Sequence, residues 1–369
     1  MKILLVRLRQ IGDVVFTTPA VAALRRRFPD AHLTYLVEPP AAPVVAGNPH
    51  LAEVMVVPRR GGVAGLSADL RLAHRLRRAR YDLAIDFHGG PRASLLTLLC
   101  GAPRRIGYNV VGRSWMYTDV VERPRSLRRR HSVENQWDLL RVLDIPAPNR
   151  VENPIEMPVD WDAARRVDER LAAAGVGLDE DIAVVHVSAS SPFRRWPHAS
   201  FVTTVAALAD HAGRRVIVTS GPADRTAARD IVDQARQTLS SDRQPRVLDS
   251  GDFSLVELRA LLERSAVYIG GDSGPLHLAA ATRVPIVAIF GPTPSERSSP
   301  WRDPAIGSES IEIDGLPCRP CDQRVCEPGD FRCLTRIEAS RVIDAAERLL
   351  ATGKRPAPSA PANPAVIER

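Results

Sequence analysis

Residues 270–277, GGDSGPLH, bring together three glycines, a carboxylate, a hydroxyl and an imidazole. The apolar residues 265–269 predict a buried strand before them, and a helix pattern begins at Pro275, a residue suited to a first helical position. Such a loop places backbone N–H groups and a helix N-terminus at the carboxyl edge of a parallel sheet, where a diphosphate is favoured. Asp272 can accept a hydrogen bond from a sugar hydroxyl, and His277 is expected to face back toward the loop.

The same residues have a simpler interpretation. Gly-Asp-Ser-Gly is common turn chemistry, and either Asp272 or Ser273 is a good helix N-cap. The position of the loop as a whole favours a ligand site, because open α/β sheets bind ligands at this edge.

A second candidate carboxylate lies near the start of the chain. Residues 2–8 predict a first buried strand, and Gly12 and Asp13 lie in the loop after it. A carboxylate on that loop can take a proton from an acceptor hydroxyl. Capping of the next helix explains Asp13 equally well, and the residues alone leave both roles open.

The order of elements predicts the fold class. Strand patterns alternate with helix patterns through most of the 369 residues, which is typical of α/β chains with parallel sheets. We expect two Rossmann-like βαβ domains facing each other across a cleft, residues 1–158 and 159–340, followed by a helix over 341–352 and a disordered Pro/Ala-rich tail over 353–369. No G-x-G-x-x-G followed by an acid is present, which disfavours a dinucleotide oxidoreductase.

The two parts of the chain differ in net charge. Residues 1–150 contain 24 Lys and Arg against 12 Asp and Glu, and the remainder contains 26 against 31. A basic first half suits an anionic partner or an acidic membrane surface. Only 5% of the residues are aromatic, which disfavours single-stranded nucleic acid as that partner. The chain has no apolar run of about 18 residues and its N-terminus resembles a strand more than a signal peptide, so we expect a cytoplasmic location.

Several blocks resemble one known family. Residues 272–280, DSGPLHLAA, followed by residues 290–293, FGPT, resemble the donor-site motif of the bacterial lipopolysaccharide heptosyltransferases, glycosyltransferase family 9. Residues 11–14, IGDV, with Thr18, Pro19 and Leu24 are similar to the opening pattern of that family. The matching blocks run in order from about residue 3 to residue 340. The resemblance implies the GT-B arrangement of two facing domains.

The resemblance also implies residue roles. The aspartate of the opening pattern is the proposed catalytic base, which gives that role to Asp13, beside Gly12 on the acceptor side. Residues 86–92 match the acceptor loop, in which His88 stands where the family commonly has Gln, and Arg92 is assigned to an acceptor phosphate or carboxylate. His131 and Glu134 match a further family pattern without an assigned role.

On the donor side, residues 186–197 match a loop in which Arg194 replaces the usual Lys. Because Arg binds a diphosphate bidentately, the role is retained. Trp196 after it is expected to be a core residue. The predicted donor-binding residues are Ser188, Arg194, Asp224, Asp272, Ser273, Gly274 and His277.

These roles imply an inverting, metal-independent transfer of heptose from ADP-heptose to the Kdo or heptose of the anionic lipopolysaccharide inner core, with peripheral contact to the inner membrane and no required cofactor. A different nucleotide-sugar glycosyltransferase of the same fold, a non-catalytic nucleotide-sugar binding protein and a nucleotide-sugar epimerase are the alternatives. Turnover of ADP-heptose with a core acceptor distinguishes them.

Four cysteines lie within sixteen residues, at Cys318, Cys321, Cys326 and Cys333. In a cytosolic protein such a cluster suggests a metal before it suggests disulfides. The spacing is not one of the standard zinc patterns, so reduced thiols are favoured over a structural zinc ion, and no catalytic metal is expected.

Overall fold

The computed structural model describes residues 1–57, 62–122, 130–177, 179–211, 213–249 and 251–352. The predicted tail over 353–369 therefore lies outside the described residues. Strands β1 to β6 are Lys2–Val6, His32–Val37, Glu53–Val56, Leu83–Asp86, Arg104–Tyr108 and Asp119–Val121. Strands β7 to β12 are Asp181–His186, Arg214–Thr219, Val247–Leu248, Val267–Gly271, Ile286–Ile289 and Ser308–Ile311.

The strands form two six-stranded sheets, in the orders β3-β2-β1-β4-β5-β6 and β12-β11-β10-β7-β8-β9. All pairings are parallel, as in β1 against β2, where Lys2 is opposite His32. The inner strands are continuous apolar runs, and Ile3, Leu4, Leu5 and Val6 of β1 are all fully buried. Both faces of each sheet are covered, which is what parallel sheets with crossover helices require. The predicted fold class, two Rossmann-like α/β units, is confirmed.

Thirteen α-helices connect the strands in the described part of the chain. Helices α1 to α6 are Ile11–Val15, Thr18–Arg27, Ala42–Val45, Gly62–Ala79, Pro91–Leu99 and Ser132–Arg141. Helices α7 to α13 are Trp161–Ala173, His198–Asp210, Arg225–Thr238, Leu255–Arg264, Gly274–Ala279, Arg332–Thr335 and Ala339–Thr352.

One prediction near the N-terminus needs correction. Asp13 lies within the one-turn helix α1, not in a loop, and the cap position is Gln10. Helix α2 then begins at Thr18, with Thr17 at its N-cap position and Pro19 in its first turn. The Thr18 hydroxyl donates to Val15 O at 2.9 Å.

The carboxyl edges of the two sheets meet through α1 and α11. An added Cβ on Gly12 would lie 2.6 Å from Cδ2 of His277, and one on Gly274 would lie 3.2 Å from Cγ2 of Ile11. The rings of Phe16 and His277 are 4.4 Å apart. Glycines therefore allow the two helices, one from each sheet unit, to approach closely.

No helix within the described ranges is both long and apolar enough to span a membrane.

Candidate functional site

The candidate residues lie where each sheet reverses its strand order. In the first sheet this switch point lies between β1 and β4, and in the second between β10 and β7. Open α/β sheets bind ligands outside the carboxyl ends of strands at such points. Asp13 follows β1, His88 follows β4, Asp272 follows β10 and Ser188 follows β7.

Asp13 is held by an arginine that the sequence reasoning missed. Arg7 Nη2 lies 2.5 Å from Asp13 Oδ2, and Arg7 Nη1 donates to Phe87 O at 2.5 Å. The Arg7 side chain is 10% exposed, whereas that of Asp13 is 41% exposed. A buried guanidinium thus ties the ends of β1 and β4 together and orients a carboxylate that remains accessible.

Asp13 is not the N-cap of the next helix, which was its alternative interpretation, but it makes a capping-box contact from the third position of α1. Gln10 N lies 3.4 Å from Asp13 Oδ2, in a reciprocal arrangement with the Gln10 side chain. Gln136 of α6 donates to Asp13 O at 3.3 Å and fixes its backbone. The capping and catalytic roles are compatible, because the cap uses the same oxygen as Arg7.

The loop after β4 is built on a buried carboxylate. Asp86 accepts from His88 N at 2.8 Å, from Gly89 N at 2.9 Å and from the Tyr117 hydroxyl at 2.7 Å. Burial raises the pKa of the Asp86 carboxyl, although these hydrogen bonds and the charge of Arg7 oppose the shift. Asp86 acts as the anchor that shapes the loop presenting His88.

His88 is neutral at physiological pH. Burial, with the positive charges of Arg7 and Arg9, lowers the pKa of His88 to about 4. A Cβ on Gly90 would lie 2.6 Å from the His88 ring, so the following glycine makes room for it. His88 can offer a hydrogen bond, but no charge, to an acceptor.

Arg92 is engaged by two carboxylates. Its Nη1 lies 2.9 Å from Glu38 Oε1 and its Nη2 lies 2.8 Å from Asp69 Oδ1. Binding of an acceptor anion would have to compete with these pairs. The acceptor role of Arg92 stays a prediction.

Asp272 is the centre of the donor side. Its side chain is 4% exposed, and Oδ1 accepts from the Ser298 hydroxyl at 3.0 Å and lies 3.5 Å from His277 Nε2. Arg194 Nη1 lies 3.4 Å from Oδ2. Burial by itself would raise the pKa of Asp272, but the His277 contact, the Arg194 charge and the Ser298 hydrogen bond together lower it. Asp272 is therefore a buried anion at neutral pH.

The expected position of His277 is confirmed, and Ser273 does not act as a cap. Ser273 occupies the N-cap position of α11 without a side-chain capping bond. Burial raises the pKa of the neighbouring Tyr268, and the nearby Ser273 hydroxyl opposes the shift. Neither hydroxyl has a hydrogen-bond partner among the described residues. The backbone of Gly274 packs against Ile11 of α1.

Two further predicted donor residues lie on neighbouring loops. The Ser188 hydroxyl accepts from Gly221 N at 2.9 Å and links the loops after β7 and β8. Asp224 pairs with Arg195 at 3.0 Å. Trp196 is a core residue as predicted, since it is 3% exposed and its indole N–H donates to Ile337 O at 3.0 Å.

The cysteine-rich segment adjoins Arg194. Arg194 Nε donates to Gln323 Oε1 at 2.8 Å. Residues 317–322, 324–328 and 331–333, with Phe193 and Pro292, line an open pocket of about 500 Å³. All five cysteines are free thiols, and burial raises the pKa of Cys333. Within the described ranges, no three His, Cys, Asp or Glu side chains are grouped so as to hold a metal ion.

Arg7, Ser298 and Gln323 were missed by the sequence reasoning. Arg7 directly follows an apolar strand, and a charge in that position is a detectable signal. Ser298 and Gln323 reach the site from segments 26 and 129 residues away from their partners, which no local pattern shows.

Two open parallel sheets with polar loops at facing switch points define the class of two-domain α/β enzymes to which the GT-B glycosyltransferases belong. Residues 70–328 match the model of glycosyltransferase family 9 (heptosyltransferase), so the chain belongs to this family and is a glycosyltransferase.

The relatives agree with this assignment. The chain is 28% identical over 348 residues to lipopolysaccharide heptosyltransferase 3 of Escherichia coli, covering 92% of this chain and 96% of that protein. A solved family 9 glycosyltransferase from Veillonella parvula has a TM-score of 0.83 at 23% identity, covering 95% of this chain and 98% of that one. The E. coli ADP-heptose lipopolysaccharide heptosyltransferase II has a TM-score of 0.75 at 21% identity, covering 95% and 99%. The family resemblance predicted from the sequence and the GT-B fold are confirmed.

Proposed function

We propose that this enzyme transfers a heptose from ADP-heptose to the Kdo or heptose of the lipopolysaccharide inner core, with inversion and without a catalytic metal. The donor and acceptor classes are those named for its relatives, which act on lipopolysaccharide and, in heptosyltransferase II, on ADP-heptose. The observation that carries the proposal is the contact between α1 of the first sheet unit and α11 of the second. Asp13 is one residue from Gly12, and Gly12 touches His277 beside Asp272.

In the proposed step, the acceptor hydroxyl gives its proton to Asp13 as its oxygen attacks the anomeric carbon. The bond between that carbon and the diphosphate oxygen breaks, and ADP leaves with the bonding electron pair. Arg7 and Gln10 both contact Oδ2 of Asp13, so the acceptor proton is assigned to Oδ1. A base must lie within hydrogen-bond reach of the proton it removes, which the 41% exposed side chain allows.

Charge on the leaving diphosphate is assigned to protein donors. Arg194 lies between Asp272 and Gln323 and supplies a guanidinium for bidentate phosphate binding. Burial lowers the pKa of Arg297, and the charges of Asp272 and Arg194 also act on it, which places Arg297 near both side chains. Ser188, Ser273 and the N–H of Gly274 complete the proposed phosphate contacts. Two arginines facing one buried aspartate leave an excess of positive charge that favours an anionic ligand.

His277 and Asp224 complete the proposed donor set, with Asp272 accepting from a donor hydroxyl. On the acceptor side, Gly12, His88 and Arg92 stay the proposed contacts. We assign the reaction to the cytoplasmic face of the inner membrane, where the basic first half of the chain meets the anionic glycolipid.

Asp13→Asn tests the base. Asn keeps the shape of Asp, and its amide oxygen can still accept from Gln10 N and Arg7, but it accepts no proton at neutral pH. We expect a folded variant with unchanged ADP affinity and a kcat lower by about 10²–10⁴. Turnover within a few-fold of wild type would return Asp13 to the role of a cap.

A further inference from the structure

A five-residue segment of the donor half, the part of the chain with the second sheet, is hydrogen-bonded at almost every residue to the acceptor half, the part with the first sheet. We call residues 297–301 the crossing segment. Its carbonyls at positions 297, 299, 300 and 301 accept, in turn, from Ser132, His131, Arg150 and Ile155, at 2.9, 2.9, 2.9 and 3.3 Å. All four hydrogen-bond donors belong to residues that precede the second sheet in the chain.

The crossing segment is also packed into the first half. Trp301 is 2% exposed, lies in the core that includes β1 and α2 side chains, and donates from Nε1 to Asn153 O at 2.7 Å. The His131 ring lies between Phe16, at 5.3 Å, and Trp301, at 4.7 Å. Phe16 in turn packs on His277. A series of four rings, two of them from the first half, therefore runs from His277 in the donor loop to Trp301 in the crossing segment.

His131 has a fixed tautomer that uses both ring nitrogens. Nδ1 accepts from Val133 N at 3.1 Å, as the cap of α6, so Nε2 carries the hydrogen that is donated to Ser299 O. Burial lowers the pKa of His131 to about 3, with Arg150 and His277 adding to the shift, and the ring is neutral. One side chain thereby starts α6 and reaches across to the donor half.

Helix α6 contacts both the Asp13 side and the Asp272 side of the site. Through Gln136 it contacts the backbone of Asp13, and through His131 and Ser132 it contacts the crossing segment. Ser298, between the two bonded carbonyls, donates to Asp272. Small shifts of the crossing segment would change this hydrogen bond directly.

We propose that His131 and Ser132 are positioning residues: they hold the crossing segment so that Ser298 fixes Asp272 in the donor site, and they couple that site to the helix that supports Asp13. This inference rests on the proposed function for its ligand, ADP, but the positioning itself concerns only this chain's residues. It gives a role to His131, which the sequence pattern left without one.

Two substitutions of His131 test the contacts of its two ring nitrogens separately. His131→Asn keeps a good N-cap acceptor near the Nδ1 position, but its amide is too short to reach Ser299 O. His131→Gln can place an amide N–H near the Nε2 position. Ser132→Ala removes only the hydroxyl bonded to Arg297 O and introduces a good helix former, so it folds even if a His131 variant does not. His74→Asn, at an exposed position of α4, is the matched control.

Hydrogen–deuterium exchange of the whole protein is the first measurement. We expect faster exchange in residues 272–277 and 295–301 for His131→Asn and Ser132→Ala, near wild-type exchange for His131→Gln, and no change for His74→Asn. Unchanged exchange in both segments for His131→Asn and Ser132→Ala would overturn the proposal. So would equal acceleration throughout the chain, which would indicate a general loss of stability.

Calorimetry with ADP is the second measurement. Loss of one buried hydrogen bond is expected to weaken ADP binding by about threefold to tenfold in His131→Asn, with recovery in His131→Gln. In turnover, the loss should appear in KM for the donor more than in KM for the acceptor. Wild-type ADP affinity in His131→Asn and Ser132→Ala would refute the coupling. Absence of ADP binding by the wild type would instead refute the proposed donor, while the exchange result would still decide the positioning role.

Discussion

Gly12→Ala tests the contact on which the facing arrangement of the two halves depends. The added methyl would lie 2.6 Å from His277 Cδ2 and 3.4 Å from Nε2. Carbon atoms in contact are ordinarily about 3.5–4.0 Å apart, so the ring must move by about 1 Å. His277 is 5% exposed and packs on Phe16, which leaves it little space.

The expected change in the free energy of unfolding is the sum of two opposing effects. Overpacking in a close-packed site costs about 1–3 kcal/mol, whereas replacing Gly by Ala within a helix gains up to about 1 kcal/mol. The net loss of about 1–2 kcal/mol corresponds to a melting temperature lower by about 2–8 °C for a domain of this size. Displacement of His277 from Asp272 should also weaken ADP binding.

The assay is thermal unfolding with a matched control and a double-mutant cycle. Gly177→Ala, whose new methyl would meet its nearest atom at 3.6 Å, should stay within about 0.5 kcal/mol of wild type. In the His277→Ala background the ring is absent, so Gly12→Ala should no longer destabilise. A Gly12→Ala protein as stable as wild type, or an equal loss in both backgrounds, would refute the reasoning.

Three further outcomes are expected. Arg194→Ala should weaken ADP binding by about tenfold to a hundredfold in calorimetry, because a charge-assisted contact is lost. The control Arg165→Ala, at an exposed ion pair, should leave ADP binding unchanged. Equal ADP affinities of the two variants would remove Arg194 from the donor site. Turnover should persist in excess EDTA, because protein donors are assigned to the leaving group, and restoration by magnesium after loss would contradict this. Because the pKa of His131 is lowered from 6.5 to about 3, unfolded chains bind a proton in that window that folded chains do not. Its contribution to stability is therefore present above pH 6.5 and lost as the pH falls, so the difference in melting temperature between wild type and His131→Asn should shrink from pH 7 to pH 4; a constant difference would argue against a buried neutral ring.

The apolar strands and the donor loop were readable from the sequence because their signals are local. The first strand was predicted over residues 2–8, and the structure has it at Lys2–Val6. The short edge strand β12, Ser308–Ile311, was missed because only Ile311 of its four residues is a buried apolar side chain. Edge strands with polar residues lack the continuous apolar run of a central parallel strand.

The candidate site was predictable in its loops but not in its long-range pairs. Asp272 directly follows a strand and Asp13 lies in the next segment after one, so spacing and turn residues pointed to them. Their partners Arg7 and Ser298 were not identified, because a strand-end arginine and a serine 26 residues away become neighbours only after folding. The one-turn helix that holds Asp13 is too short to give a helical period.

The reason for Gly12 was also outside the reach of sequence reasoning. The sequence predicted only that Gly12 lies beside Asp13 on the acceptor side, whereas the structure shows a close approach of His277 from the other half of the chain. That contact joins residues more than 250 positions apart, and nothing in the local pattern indicates it.

The most direct test of the central claim is turnover over a panel of nucleotide sugars. Wild-type enzyme is incubated with a truncated lipopolysaccharide core and with ADP-heptose, or with ADP-, UDP- or GDP-hexoses, while nucleotide release and acceptor mass are followed together. We expect ADP release matched by an acceptor that gains one heptosyl unit, only when both substrates are present. Faster turnover with a UDP- or GDP-sugar, or ADP release without a glycosylated acceptor, would contradict it.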